Sequence, residues 1–114
     1  MPLRAKAARK RSTLTQGHVA TIIGHLSKGQ ISRMENGCRR PHPRFVVGTI
    51  ILFHRGIDDL FQRLYQEVED HIAREALRMW ESLDGATSLL DQKRREVLAD
   101  ILSAIAARQN QKDV

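Results

Sequence analysis

Three observations in the sequence predict an all-α fold. Apolar residues recur three and four positions apart through successive segments, the spacing of one helix face. Glycine and proline punctuate the chain between most of those segments. No stretch keeps the strict apolar–polar alternation of a half-buried strand. Composition agrees: of 114 residues, 41% are hydrophobic, 28% charged and 4% aromatic. This is the size of about one ordinary domain with a modest core, and it excludes a collagen-like or low-complexity chain.

A first short helix is predicted from Leu3 to about Lys10, with the small Ala5 and Ala8 turned inward. Thr15 caps a second, Gln16 to Ile23, in which Val19, Ala20 and Ile23 share a face. Gly24 ends it, since glycine adopts positive φ at little cost. Ser27 opens a third helix with Gln30 three residues on, a capping-box spacing. Asn36-Gly37 closes that helix. Arg39-Arg40-Pro41-His42-Pro43 is a basic loop, and Pro43 suits the first turn of a fourth helix, about Arg44 to His54, followed by Gly56.

From Asp58, a stripe of Leu60, Phe61, Leu64, Val68, Ile72, Ala76, Met79, Trp80 and Leu83 predicts one helix of about 25 residues, some 37 Å long. Asp84-Gly85 breaks it. Ser88 with Asp91 caps a last helix to about Arg108, striped by Leu90, Val97, Leu98, Ile101, Leu102 and Ile105. Asn110 to Val114 is expected to fray.

Charge is unevenly placed. From Met1 to Arg55 there are eleven Lys and Arg against one acid, Glu35, a net of +10; the remainder carries eight bases against twelve acids, a net of −4. A half-chain that basic repels itself unless a polyanion lies nearby, and nucleic acid is the commonest one. An acidic membrane surface fits less well, because the basic half lacks an amphipathic helix rich in Trp and Phe. The longest apolar run, Phe45 to Phe53, falls far short of the roughly 20 residues a membrane span needs. The basic N-terminus is followed by no apolar stretch, so no signal peptide is expected. The single Cys38 can form no internal disulfide, and a cytoplasmic location is expected.

The third helix concentrates hydrogen-bonding side chains on one side. Advancing about 100° per residue from Lys28, the positions of Ser32, Asn36, Gly29 and Arg33 fall within an arc of about 140°. Gln30, Ile31 and Met34 occupy the opposite arc. The small Gly29 leaves room for close approach. A short helix anchored on one side, with Lys, Ser, Arg and Asn on the other, fits a major groove, where Arg bonds guanine bidentately. The preceding helix and turn would hold it against the duplex.

The pattern TQxxVAxxxG followed by SxxQISRMENGxRRP resembles the Cro and phage-repressor type of helix-turn-helix domain, the XRE family. Thr15-Gln16, Ala20, Gly24, Ile31-Ser32-Arg33, Glu35, Gly37 and Pro41 carry the match, which spans roughly Ala5 to Tyr65. The later Gly56 to Phe61 is similar to the start of that family's fifth helix. The turn Gly24-His25-Leu26-Ser27 is one residue longer than the family's commonest form.

The resemblance implies a five-helix DNA-binding domain over residues 1–65. Its last helix would extend into a C-terminal helical hairpin, residues 66–114, used for dimerisation or interaction. It implies base contacts by Lys28, Gly29, Ser32 and Arg33. It also implies phosphate contacts by Gln16, Asn36 and Arg40, and an ion pair between Arg9 and Glu35. Arg39 and Arg44 are further phosphate candidates, as part of an arginine cluster whose contacts would position the domain without choosing its site.

About 50 residues after the match are too few for an ordinary sensor domain with its own core. Their long apolar stripe with acidic flanks predicts a homodimer through Val68, Ile72, Met79, Trp80, Leu98, Ile101 and Leu102. The expected function is a sequence-specific double-stranded DNA-binding transcriptional regulator, a dimeric repressor reading a palindromic operator. The alternative is an antitoxin-like protein whose C-terminal helices bind a small protein partner while the basic half autoregulates its operon. Non-specific coating of nucleic acid is a third reading, carried by charge alone. Cys38 and His42 lack the paired spacings of a structural zinc site, and His18, His25 and His54 do not supply them. No nucleophile motif or phosphate loop is present, so neither an enzyme nor a cofactor is expected.

Overall fold

The computed structural model describes residues 3–112, and every regular element among them is a helix. These are α1 (Arg4–Ser12), α2 (Gln16–Ile23), α3 (Lys28–Glu35), α4 (Pro43–Phe53), α5 (Ile57–Leu60), α6 (Gln62–Ser82) and α7 (Leu89–Lys112). None is long and apolar enough to cross a membrane. The chain divides into two units, Met1–Gln66 and Glu67–Val114.

The first unit is built around Ala5, Ala8, Val19, Ile23, Ile31, Met34, Phe45, Leu60 and Phe61, all buried. Each large member contributes about 1.5–3 kcal/mol by leaving water. Phe45 and Phe61 meet edge to face, their centroids 6.0 Å apart and their planes at 85°, an arrangement the ring quadrupoles favour. Thr49 is buried among them because its hydroxyl donates back to the Phe45 carbonyl at 2.9 Å. Gly48 lets α4 lie close against α2: a Cβ there would sit 2.7 Å from both Cδ1 and Cγ1 of Ile23.

Three boundaries differ from the sequence reading. α1 continues to Ser12, where Thr13 turns left-handed at φ 71° and its N–H caps the Lys10 carbonyl. The helix expected to run unbroken from Asp58 is interrupted at Phe61, whose φ of −124° and ψ of 43° leave the helical region. Leu60 and Phe61 are neighbours in sequence, about 100° apart on a helix, yet both are fully buried, and the break lets both side chains reach the core. At the other end, α7 carries the helix through residues 110–112, which were expected to fray; 113 and 114 lie outside the described residues.

The second unit is an antiparallel hairpin of α7 and the part of α6 from Glu67 onward, joined by a turn in which Gly85 has φ 76°. Near the open end, Arg108 Nε and Gln109 Nε2 donate to the buried Glu69 carboxylate at 2.6 and 3.2 Å. Near the turn, the Arg95 guanidinium lies 3.9 Å over the Trp80 ring, donates to the Trp80 carbonyl and pairs with Asp84. Trp80, Leu98 and Leu102 are partly buried within this hairpin. Within one chain Trp80 lies beneath the Arg95 guanidinium, and the expected use of these three side chains between chains stays a proposal.

Candidate nucleic-acid interface

The segment from Thr15 to Asn36 is held by reciprocal caps at both helix starts. Thr15 Oγ1 accepts from the His18 amide at 3.0 Å, and His18 Nδ1 accepts from the Thr15 amide at 3.1 Å. Ser27 and Gln30 repeat the arrangement at α3, at 3.1 and 2.8 Å. Each box satisfies two amides that a helix start would otherwise leave without partners. Between them Gly24 takes φ 76° and ψ 159°, a region essentially confined to glycine, and His25 follows at φ 62°. Two positive-φ residues in succession reverse the chain tightly enough to set α3 against α2.

α3 is anchored from one side. Ile31, Met34 and Glu35 are fully buried, whereas Lys28, Gly29 and Arg33 are exposed and Ser32 is half-buried. The Arg33 guanidinium lies back over Gly29, where an added Cβ would sit 3.7 Å from its Nη1. A donor-rich side chain therefore rests over bare backbone on the outer face.

The only acid of the basic half is the anchor. Arg9 grips Glu35 in a fork, Nε to Oε2 at 2.7 Å and Nη2 to Oε1 at 3.0 Å, and its Nη1 donates to the Leu14 carbonyl at 3.0 Å. Gln16 Nε2 donates to the same carboxylate at 3.0 Å. One buried carboxylate thus ties α1, the start of α2 and the end of α3 together. Turned inward and paired, it presents no negative charge to an approaching polyanion.

Two side chains expected at phosphates, the exposed Arg44 and the half-buried Gln16, also bond within the unit. Arg44 donates from Nε and Nη2 to the Ile23 carbonyl at 3.0 and 2.8 Å, and from Nε to the Gly24 carbonyl at 2.9 Å. It caps the end of α2, where a helix has carbonyls without intrahelical donors. The Gln16 amide is committed to Glu35. Asn36 stays at the surface but is held, accepting from Lys6 Nζ at 2.7 Å and donating to Ser32 Oγ at 3.4 Å. Arg39 and Arg40 are exposed in the loop that follows.

Two further cations belong to this surface. Lys6 and Lys10 of α1 line a shallow cleft of about 550 Å³ together with Gln16 and Lys28. Their i, i+4 spacing puts them on one side of α1 and was legible in the sequence. What was missed is that this side faces α3, because Arg9 between them points inward.

Among the described residues no group of three or more His, Cys, Asp or Glu side chains is placed to hold a metal ion. Comparison of the chain with known protein families, with curated proteins and with solved structures finds no match.

Proposed function

We propose that this chain is a sequence-specific double-stranded DNA-binding regulator of transcription, of the helix-turn-helix kind resembling Cro and phage repressors. In this reading α3 enters the major groove, and the chain acts as a dimeric repressor on a two-fold symmetric operator in a bacterial or phage-infected cytoplasm. The observation that carries it is the two-sidedness of α3: Ile31, Met34 and Glu35 fix it from below, while Lys28, Gly29 and Arg33 stand open to solvent. A helix held that way offers donors to base edges without spending its own packing.

Lys28, Ser32 and Arg33 with the bare backbone of Gly29 are assigned to base edges. Arg39, Arg40 and Asn36, with Lys6 and Lys10, are assigned to phosphates. Arg44 and Gln16, also expected at phosphates, are assigned first to the fold through their bonds to the Ile23 and Gly24 carbonyls and to Glu35.

Selection of bound duplexes from random DNA tests the proposal directly. A recurrent palindrome with half-sites about 34 Å apart is the expected outcome. On that site Arg33→Ala should cost about 1–3 kcal/mol of affinity while leaving binding to random DNA nearly unchanged. Equal losses on both sequences would refute base reading by Arg33.

A further inference from the structure

The hairpin has almost no interior of its own. Among the described residues of Glu67–Val114, Ala76 is the sole apolar side chain that is buried, beside the paired Glu69. Helices in water owe most of their stability to packing an apolar face, and very small units rarely hold without an added staple or partner. Meanwhile Val68, Ile72 and Met79 on α6 and Leu90, Val97 and Ile101 on α7 remain exposed, Met79 at 56% and Val97 at 54%.

Those six residues lie on one face. On α6, Glu69, Ala76 and Trp80 mark the side toward α7. At about 100° per residue, Val68, Ile72 and Met79 are rotated about 80° from that side. On α7, Arg95, Leu102, Arg108 and Gln109 mark the side toward α6, and Leu90, Val97 and Ile101 are rotated about 90° from their mean direction in the same sense, with Arg108 at the end of the stripe. On helices running in opposite directions, rotations of the same hand lead to the same face of the pair. The pairings Glu69–Arg108 and Trp80–Arg95 set the register and bring Met79 level with Val97. From Val68 to Leu90 the stripe extends about 28 Å.

We propose that this face binds the same face of a second copy of the chain, closing a four-helix bundle whose core is these residues. This names the surface for the dimeric part of the function proposed above and does not depend on the DNA contacts. Two observations favour a second copy over another occupant. A two-fold contact places a charge close to its axis beside its own duplicate, so charges there that are already paired favour a face meeting itself. Here Glu75 is paired with Arg78 at 3.5 Å and Arg94 with Asp91 at 2.9 Å, each within its own helix. The dimensions also suffice: two helices about 10 Å wide over 28 Å cover about 560 Å² per copy, or about 1,100 Å² in all, just above the roughly 1,000 Å² a specific interface needs.

Sedimentation equilibrium of the full chain without DNA tests this. At about 100 μM the wild-type chain should be a dimer that dissociates on dilution, as an interface at the small end of the specific range does. Ile72→Asp and Ile101→Asp should each give monomers. Leu77→Asp should leave the dimer intact, because Leu77 is as exposed, at 45%, but lies on the other flank of α6. If the Asp variants lose helical circular dichroism, the Ile72→Ala/Ile101→Ala chain takes their place, since alanine preserves helix propensity. It should weaken the dimer about tenfold or more. A monomeric wild type, a dimer constant unmoved by the Ile variants, or equal dissociation of Leu77→Asp would overturn the proposal. No DNA enters the assay, so either result leaves the groove-reading role to be judged separately by the selection experiment.

Discussion

Replacing Arg9 by leucine removes the cation from a carboxylate that cannot reach water. Side-chain exposures of 10% for Arg9 and 1% for Glu35 place this pair among buried ion pairs, not among surface pairs worth about 0–1 kcal/mol. Losing one partner strands the other, and the expected cost is about 3–5 kcal/mol. Glu35 would keep the Gln16 amide, which supplies one neutral donor in place of a charged fork. A unit of this size has a total stability of about 3–10 kcal/mol, so Arg9→Leu should bring it near its folding midpoint in buffer. Urea titrations followed by circular dichroism, with hydrogen exchange at α2 and α3 amides, measure the loss. The double variant Arg9→Leu/Glu35→Leu removes both charges and should recover most of it, because an apolar pair can replace a buried ion pair with little penalty. A single-variant loss under about 1 kcal/mol, or a double variant no better than the single, would refute the reasoning.

Arg40 and Arg44 should behave oppositely. Arg40→Ala is expected to weaken binding to all DNA sequences alike and to flatten the slope of log affinity against log salt by about one unit, as loss of one phosphate contact does; an unchanged slope removes Arg40 from the backbone contacts. Arg44→Ala should leave that slope unchanged and lower stability by about 1–2 kcal/mol in urea, through the lost bonds to the Ile23 and Gly24 carbonyls; a changed slope with unchanged stability would return it to the phosphates.

Local chemistry made the α2–turn–α3 segment readable in advance. Thr15, Ser27 and Gln30 act within three residues of themselves, and Gly24 declares its unusual backbone by lacking a side chain. The all-helical class followed from the same kind of signal. Features that depend on distant partners were not readable. Arg44 looks like any solvent-facing arginine at a helix start until the end of α2, 20 residues earlier, is seen beside it. Gln16 could have reached outward equally well had Glu35 not stood behind it. Phe61 fits an uninterrupted stripe in sequence, and only the shared core with Phe45 shows why the helix must stop there. In α7, apolar residues occupy two sides, so periodicity alone could not tell which side meets α6; Leu98 and Leu102 are partly buried, whereas Leu90 and Val97 are exposed.

The brevity of α3 sets an information limit. Eight residues make about two turns, some 12 Å of helix. Only three or four of its side chains can touch base pairs at once, enough to define about four of them. A word of about four letters recurs by chance roughly every 256 positions, whereas a genome offers about a million or more competing addresses. In the proposed role one such helix could not single out a gene, and two at fixed separation square the odds. In that role so short a helix would transfer the burden of discrimination to whatever holds two chains together.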